Sequence, residues 1–117
     1  MALSIGMVTI DCASPRELAE FWTLALDTSV VFDDDKFVML AANKEGGVAL
    51  ALQRVPEPRA GKNRVHVDLD TTDRRAEVRR LVELGATELG EHDGPDGLRW
   101  TVLADPEGNE FCVASGH

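Results

Sequence analysis

One pattern of apolar and polar residues runs through this chain twice, and that repetition constrains the fold more than any single motif. An alternating stretch from Ile5 to Asp11 leads into a helix start at Ser14-Pro15-Arg16-Glu17. Short β-rich runs then follow at Thr28 to Phe32, Phe37 to Leu40 and Val48 to Gln53. The stretch Val55-Pro56-Glu57-Pro58-Arg59-Ala60-Gly61-Lys62-Asn63 has the prolines and glycine of a linker. After it the order begins again, with an alternating strand from Arg64 to Asp70, a helix from Asp73 to Leu84, and strands near Ala86 to Gly90, Leu98 to Ala104 and Asn109 to Ala114. The two helices close at Leu26-Asp27 and Leu84-Gly85, 58 positions apart, about half of the 117-residue chain. The expected class is α+β, a single domain over 1–117 made of two tandem βαβββ modules. Module one covers about 1–55, the linker about 56–63 and module two about 64–117.

Local signals support this division. Ser14 reads as an N-cap with Pro15 at the first helical position and Glu17 closing a capping box, an arrangement worth about 1 kcal/mol. Leu18, Phe21, Trp22, Ala25 and Leu26 form one apolar stripe, and Val78, Leu81 and Val82 form the corresponding one in the second helix. Asp105-Pro106-Glu107-Gly108 has Asp, Pro and Gly at the first, second and fourth positions of a type I turn and runs straight into an alternating strand. Asp33-Asp34-Asp35 reads as a solvated turn, because consecutive carboxylates lack the spaced ligands and central glycine of a calcium loop.

Composition excludes several partners. At 44% hydrophobic the chain can bury an ordinary core without disulfides. A formal charge of -9 disfavours nucleic acid and anionic lipid, and is read either as a solubility device or as a preference for cationic ligands. No stretch approaches a membrane span. Cys12 and Cys112 without a signal-like apolar run point to a cytoplasmic location, and the face count sets them on opposite sides of the sheet, so no disulfide is expected.

Three segments together resemble the glyoxalase/bleomycin resistance/dioxygenase (vicinal oxygen chelate) superfamily, in its small bacterial glyoxalase-like branch. They are Leu18-Ala19-Glu20-Phe21-Trp22, Arg64-Val65-His66-Val67-Asp68-Leu69 and Asp105-Pro106-Glu107-Gly108-Asn109-Glu110-Phe111. The resemblance implies an open, cup-shaped mixed sheet with helices outside, a cavity for a small organic molecule on the concave side, and a homodimer. Metal-dependent members place a chelating His, Glu or Gln on the inward face of each module's first and last strands. Those positions fall here on Met7, on Ala51 or Gln53, on His66, and on Cys112. His66 is the one unambiguous match, which leaves little to hold a hard ion such as Mg or Mn. No cofactor is therefore expected, with a divalent metal as the lesser alternative; a soft Zn or Cu site at Met7, Gln53, His66 and Cys112 is its form.

Within that frame, alternation assigns Met7, Thr9, Ala51, Gln53, His66, Asp68, Asp70, Glu110, Cys112 and Ala114 to the cavity. Trp100 is a further lining candidate whose face alternation leaves open. His66 has three readings: ligand, general base or hydrogen-bonded wall residue. As a base it would act with Glu110 or Asp68 assisting. His92 is read as solvated in a Glu91 to Gly97 loop that borders the cavity. The leading expectation is a metal-independent binding protein of the resistance or sequestration type. The alternative is a lyase, isomerase or cyclase acting on an oxygenated small molecule, and a metal-dependent glyoxalase I comes last.

Overall fold

The computed structural model describes residues 5–61, 63 and 65–115. Lys62 of the expected linker, Arg64 at the start of the expected fifth strand, and His117 lie outside them. The chain divides into two compact units whose boundary falls between Arg59 and Ala60.

The first unit contains β1 (Met7–Cys12), α1 (Pro15–Leu26), β2 (Val30–Asp33), β3 (Phe37–Leu40) and β4 (Ala49–Arg54). Its strands lie in the order β1-β4-β3-β2, with β1 parallel to β4 and the remaining pairs antiparallel. The second unit repeats this with β5 (Val67–Asp70), α2 (Arg74–Leu84), β6 (Thr87–Asp93), β7 (Arg99–Ala104) and β8 (Glu110–Ser115), in the order β5-β8-β7-β6. Both sheets are open, and the expected α+β pair of βαβββ modules is what forms. Even an irregularity recurs: the register shifts between Val30 and Phe32 on β2 and between Glu88 and Gly90 on β6. The extra residues, Val31 and Leu89, are 58 positions apart and both exposed.

Each helix covers one face of its own sheet because its stripe and the strands' alternation meet there. Leu18, Phe21, Trp22 and Ala25 are buried with Val38, Leu40, Leu50 and Leu52. Phe21 meets Trp22 edge to face at 5.1 Å and 87°. In the second unit Val78 and Leu81 are buried with Leu103, Phe111 and Val113, whereas Val82 of the expected stripe is exposed.

The first helix start differs from expectation. Ser14 is the N-cap, with its carbonyl accepting from Leu18 N at 2.9 Å, but its side chain makes no capping bond, so the expected capping box does not form. With Pro15 at N1 supplying a preset φ and no N–H, one amide fewer needs a partner there. In α2 it is Asp73 whose carboxylate caps, accepting from Ala76 N at 3.2 Å. Gly85 ends α2 at φ 122°, a conformation side chains rarely adopt.

Both predicted turns form. Asp105 accepts the Gly108 amide on its carbonyl at 2.8 Å, and its Oδ1 takes the Glu107 and Asn109 amides, each at 2.9 Å. In the Asp triplet, Asp34 Oδ1 accepts from Lys36 N and Phe37 N while Arg16 Nε lies 3.0 and 2.9 Å from the two oxygens of Asp33. The Asp35 amide, and then the Arg16 guanidinium, hold the Asp33 carboxyl below its ordinary value against some desolvation. Among the described residues no helix is long and apolar enough to cross a membrane.

Candidate functional site

The second unit carries most of the chemistry, and one hydrogen bond assigns its faces. Arg74 on α2 donates from Nη1 to Thr101 Oγ1 at 2.7 Å, so Thr101 points to the helix side of the sheet. Trp100 and Val102 on the same strand then point to the opposite side, which settles the face of Trp100. Pairing extends this across the sheet. Asp68, Cys112, Val102 and Gly90 are neighbours in one row, and Asp70, Ala114, Trp100 and His92 in the next, with Glu110 beside Ala104. Asp68, Asp70, Glu110, Cys112 and Trp100 therefore share one face of one sheet.

His66 is not inside the strand that alternation extended back to Arg64: β5 begins at Val67. Ahead of it, Asn63 meets the start of β8 through its side chain, whose Nδ2 donates to the backbone carbonyl of Glu110 at 3.1 Å. His66 is half-buried one residue ahead of the strand, with Nδ1 4.0 Å from Cys112 Sγ. Its described contact is with a thiol. Glu110 is half-buried and Asp68 exposed on the same face, so carboxylates border the pair.

His92 is exposed, as expected, but it does not lie in a loop. It belongs to β6, which continues to Asp93, and its ring stacks on Trp100 at 5.5 Å and 24°. The loop is shorter than Glu91 to Gly97. It runs from Gly94 through a 3-10 turn at Pro95–Gly97, closed by Gly94 N donating to Leu98 O at 2.8 Å. Cross-strand aromatic packing outweighs the loop signal of the nearby glycines. Gly94 also fits against the indole: a Cβ there would lie 3.0 Å from Trp100 Cζ3.

In the first unit, Met7 pairs with Ala49, Thr9 with Ala51 and Asp11 with Gln53. Met7, Thr9 and Gln53 are exposed, whereas Ala51 is fully buried. Register decides which of Ala51 and Gln53 corresponds to Cys112. Met7 stands seven residues ahead of the Ser14 cap, as His66 does ahead of Asp73, so Thr9 matches Asp68. The strand partner of Thr9 is Ala51 and that of Asp68 is Cys112. The first unit thus offers a thioether and a methyl where the second offers an imidazole and a thiol. A methyl donates nothing, and the set does not suit the metal that the resemblance implies. Among the described residues no group of three or more His, Cys, Asp or Glu could hold a metal ion. Both cysteines are buried free thiols.

Arg74 went unnoticed in the sequence because an arginine in a helix's first turn reads as surface. It is instead buried, with Nη2 3.0 Å from Glu91 Oε1, and its Nε has no partner among the described residues. Its contacts are on the helix side, away from the candidate site.

The glyoxalase-like domain family matches residues 7–114. No curated protein matches this chain. Among solved structures, a glyoxalase/bleomycin resistance protein/dioxygenase family enzyme from Burkholderia phytofirmans PsJN is 16% identical with a TM-score of 0.81, covering 98% of this chain and 100% of that one. A member of the glyoxalase/bleomycin resistance protein/dioxygenase superfamily from Sphaerobacter thermophilus DSM 20745 is 24% identical with a TM-score of 0.77, covering 98% of each chain. The fosfomycin resistance protein FosX from Mesorhizobium loti is 14% identical with a TM-score of 0.75, covering 100% of this chain and 94% of that one. With the repeated βαβββ topology and a family match spanning both modules, the chain belongs to the glyoxalase-like domain family.

Proposed function

We propose that this protein binds a small organic molecule, as a resistance or sequestration protein, without a chelated metal. The observation that carries the reading is the row Asp70, Ala114, Trp100 and His92. It sets an aromatic shelf next to a small alanine and then a carboxylate, on the face that also bears Asp68 and Glu110. A flat or cationic ligand suits such a surface through stacking and charge, and the chain's charge of -9 favours the same class. The Met7, Ala51, His66 and Cys112 positions give a hard metal no comparable support. Resistance is a role this scaffold serves in FosX, a fosfomycin resistance protein.

A second reading rests on His66. A half-buried imidazole bordered by Asp68 and Glu110 can serve as the general base of a lyase, isomerase or cyclase. Turnover abolished in a folded His66→Ala variant would favour this reading, and full turnover in that variant would exclude it. A cytoplasmic homodimer is proposed alongside; sedimentation of the purified chain at twice the monomer mass tests the oligomer.

The test of binding is calorimetric titration of chelator-treated protein with a panel of aromatic and cationic compounds. Saturable one-to-one binding of one of them, weakened about tenfold by Trp100→Ala as expected for a lost stacking contact, supports the reading. Binding of none, or binding indifferent to Trp100→Ala, overturns it.

A further inference from the structure

The two thiols of this chain are matched in burial and unmatched in surroundings. Cys12 is 5% exposed at the end of β1, with its Sγ 3.6 Å from the Gln53 carbonyl oxygen. Cys112 is 6% exposed on β8, with His66 Nδ1 4.0 Å from its sulfur and Asp68 beside it in register. Exposure does not separate them, and the imidazole beside Cys112 is the difference that changing His66 isolates. A thiol beside an imidazole is the arrangement that activates a cysteine nucleophile, because the ring accepts the proton that the sulfur must lose.

We propose that Cys112, with His66 as its base, captures α,β-unsaturated carbonyl compounds covalently. In the tautomer protonated at Nε2, the Nδ1 lone pair takes the thiol proton. The sulfur adds to the β carbon, and the C=C π pair moves through the α carbon onto the carbonyl oxygen. The imidazolium then returns its proton to the α carbon. An S–H bond and a C=C π bond are exchanged for a C–S bond and a C–H bond, with no external oxidant or reductant. The inference rests on the binding reading only for how the electrophile reaches the sheet face. It adds a ligand class and a fate, retention on the protein, that suit sequestration.

The experiment uses N-ethylmaleimide, itself an α,β-unsaturated carbonyl compound, at substoichiometric amounts on the native chain. Timed quenching and peptide mass spectrometry give separate rates for Cys112 and Cys12. Cys112 is expected to react at least about tenfold faster than Cys12. His66→Ala and His66→Gln are each expected to slow Cys112 about tenfold or more, consistent with loss of a general base. An unchanged Cys12 rate reports an intact fold. Equal rates at the two thiols, faster reaction at Cys12, or an unchanged Cys112 rate in both His66 variants overturns the proposal. Those results alongside intact binding of the aromatic panel would leave the binding reading standing. Selective Cys112 capture without any panel binding would support capture and count against that reading.

Discussion

Replacing Asp105 tests whether the turn that launches β8 depends on one carboxylate. Asp105 is nearly fully buried, and its Oδ1 accepts from Glu107 N and Asn109 N at 2.9 Å each. Asn109 Nδ2 adds contacts at 3.2 and 3.0 Å to the two carboxylate oxygens. Hydrogen bonds to a charged group contribute about 1.5–3 kcal/mol each. The donors are only part-buried and can recover some hydration, so Asp105→Ala should cost about 3–4 kcal/mol. Asp105→Asn is the informative partner, because both backbone amides converge on a single oxygen that an amide side chain retains. It loses the charge and sets an NH2 against Asn109 Nδ2, for about 1–1.5 kcal/mol. Urea unfolding followed by circular dichroism, compared at constant m, measures both. The reasoning fails if Asp105→Ala lies within about 1 kcal/mol of wild type, or if Asp105→Asn costs as much as Asp105→Ala.

Three further outcomes follow from named contacts. Arg74→Met should cost about 2–3 kcal/mol by stranding the Thr101 hydroxyl, and adding Thr101→Val should recover about 1 kcal/mol or more, read by the same unfolding assay. Gly94→Ala should displace the indole whose Cζ3 lies 3.0 Å from the new Cβ, shifting Trp100 emission with a stability cost of about 1 kcal/mol; Trp22, only 1% exposed, serves as the unmoved reference. Because the folded-state pKa of Asp33 is lowered, its ionised form contributes stability that is present above the unfolded value and lost as pH falls through the folded one. Asp33→Asn should flatten that part of the acid melting profile, and the difference should shrink in high salt because the pair is exposed.

What was legible in the sequence was whatever depends on local geometry. The Asp105-Pro106-Glu107-Gly108 turn, the α1 stripe and the doubled element order all encode their structure within a few residues. What was not legible depends on contacts between distant parts of the chain. Alternation carried β5 back to Arg64, but the strand begins at Val67, and Asn63 meets β8 through its side chain at the Glu110 carbonyl. Glycines near His92 suggested a loop, yet the indole on the next strand keeps that residue in β6. Arg74 carried no signal, because its burial follows from Thr101 and Glu91, 27 and 17 positions away. In the candidate site, residue types and most faces were readable from alternation, but the face of Trp100 needed the Arg74 to Thr101 hydrogen bond. Which of Ala51 and Gln53 corresponds to Cys112 needed the pairing of β1 with β4.

The central claim, that this face binds its ligand without a chelated metal, is tested most directly by the melting temperature of chelator-treated protein with and without Zn, Ni, Co or Mn. A site occupied at a hundredfold excess over Kd stabilises by about 2.7 kcal/mol, which for a chain of this size is a rise of roughly 10 °C. The account predicts a shift of no more than about 1 °C with every ion. A rise of several degrees with one of them, matched by that metal copurifying in near-equal amount with the chain, would contradict it.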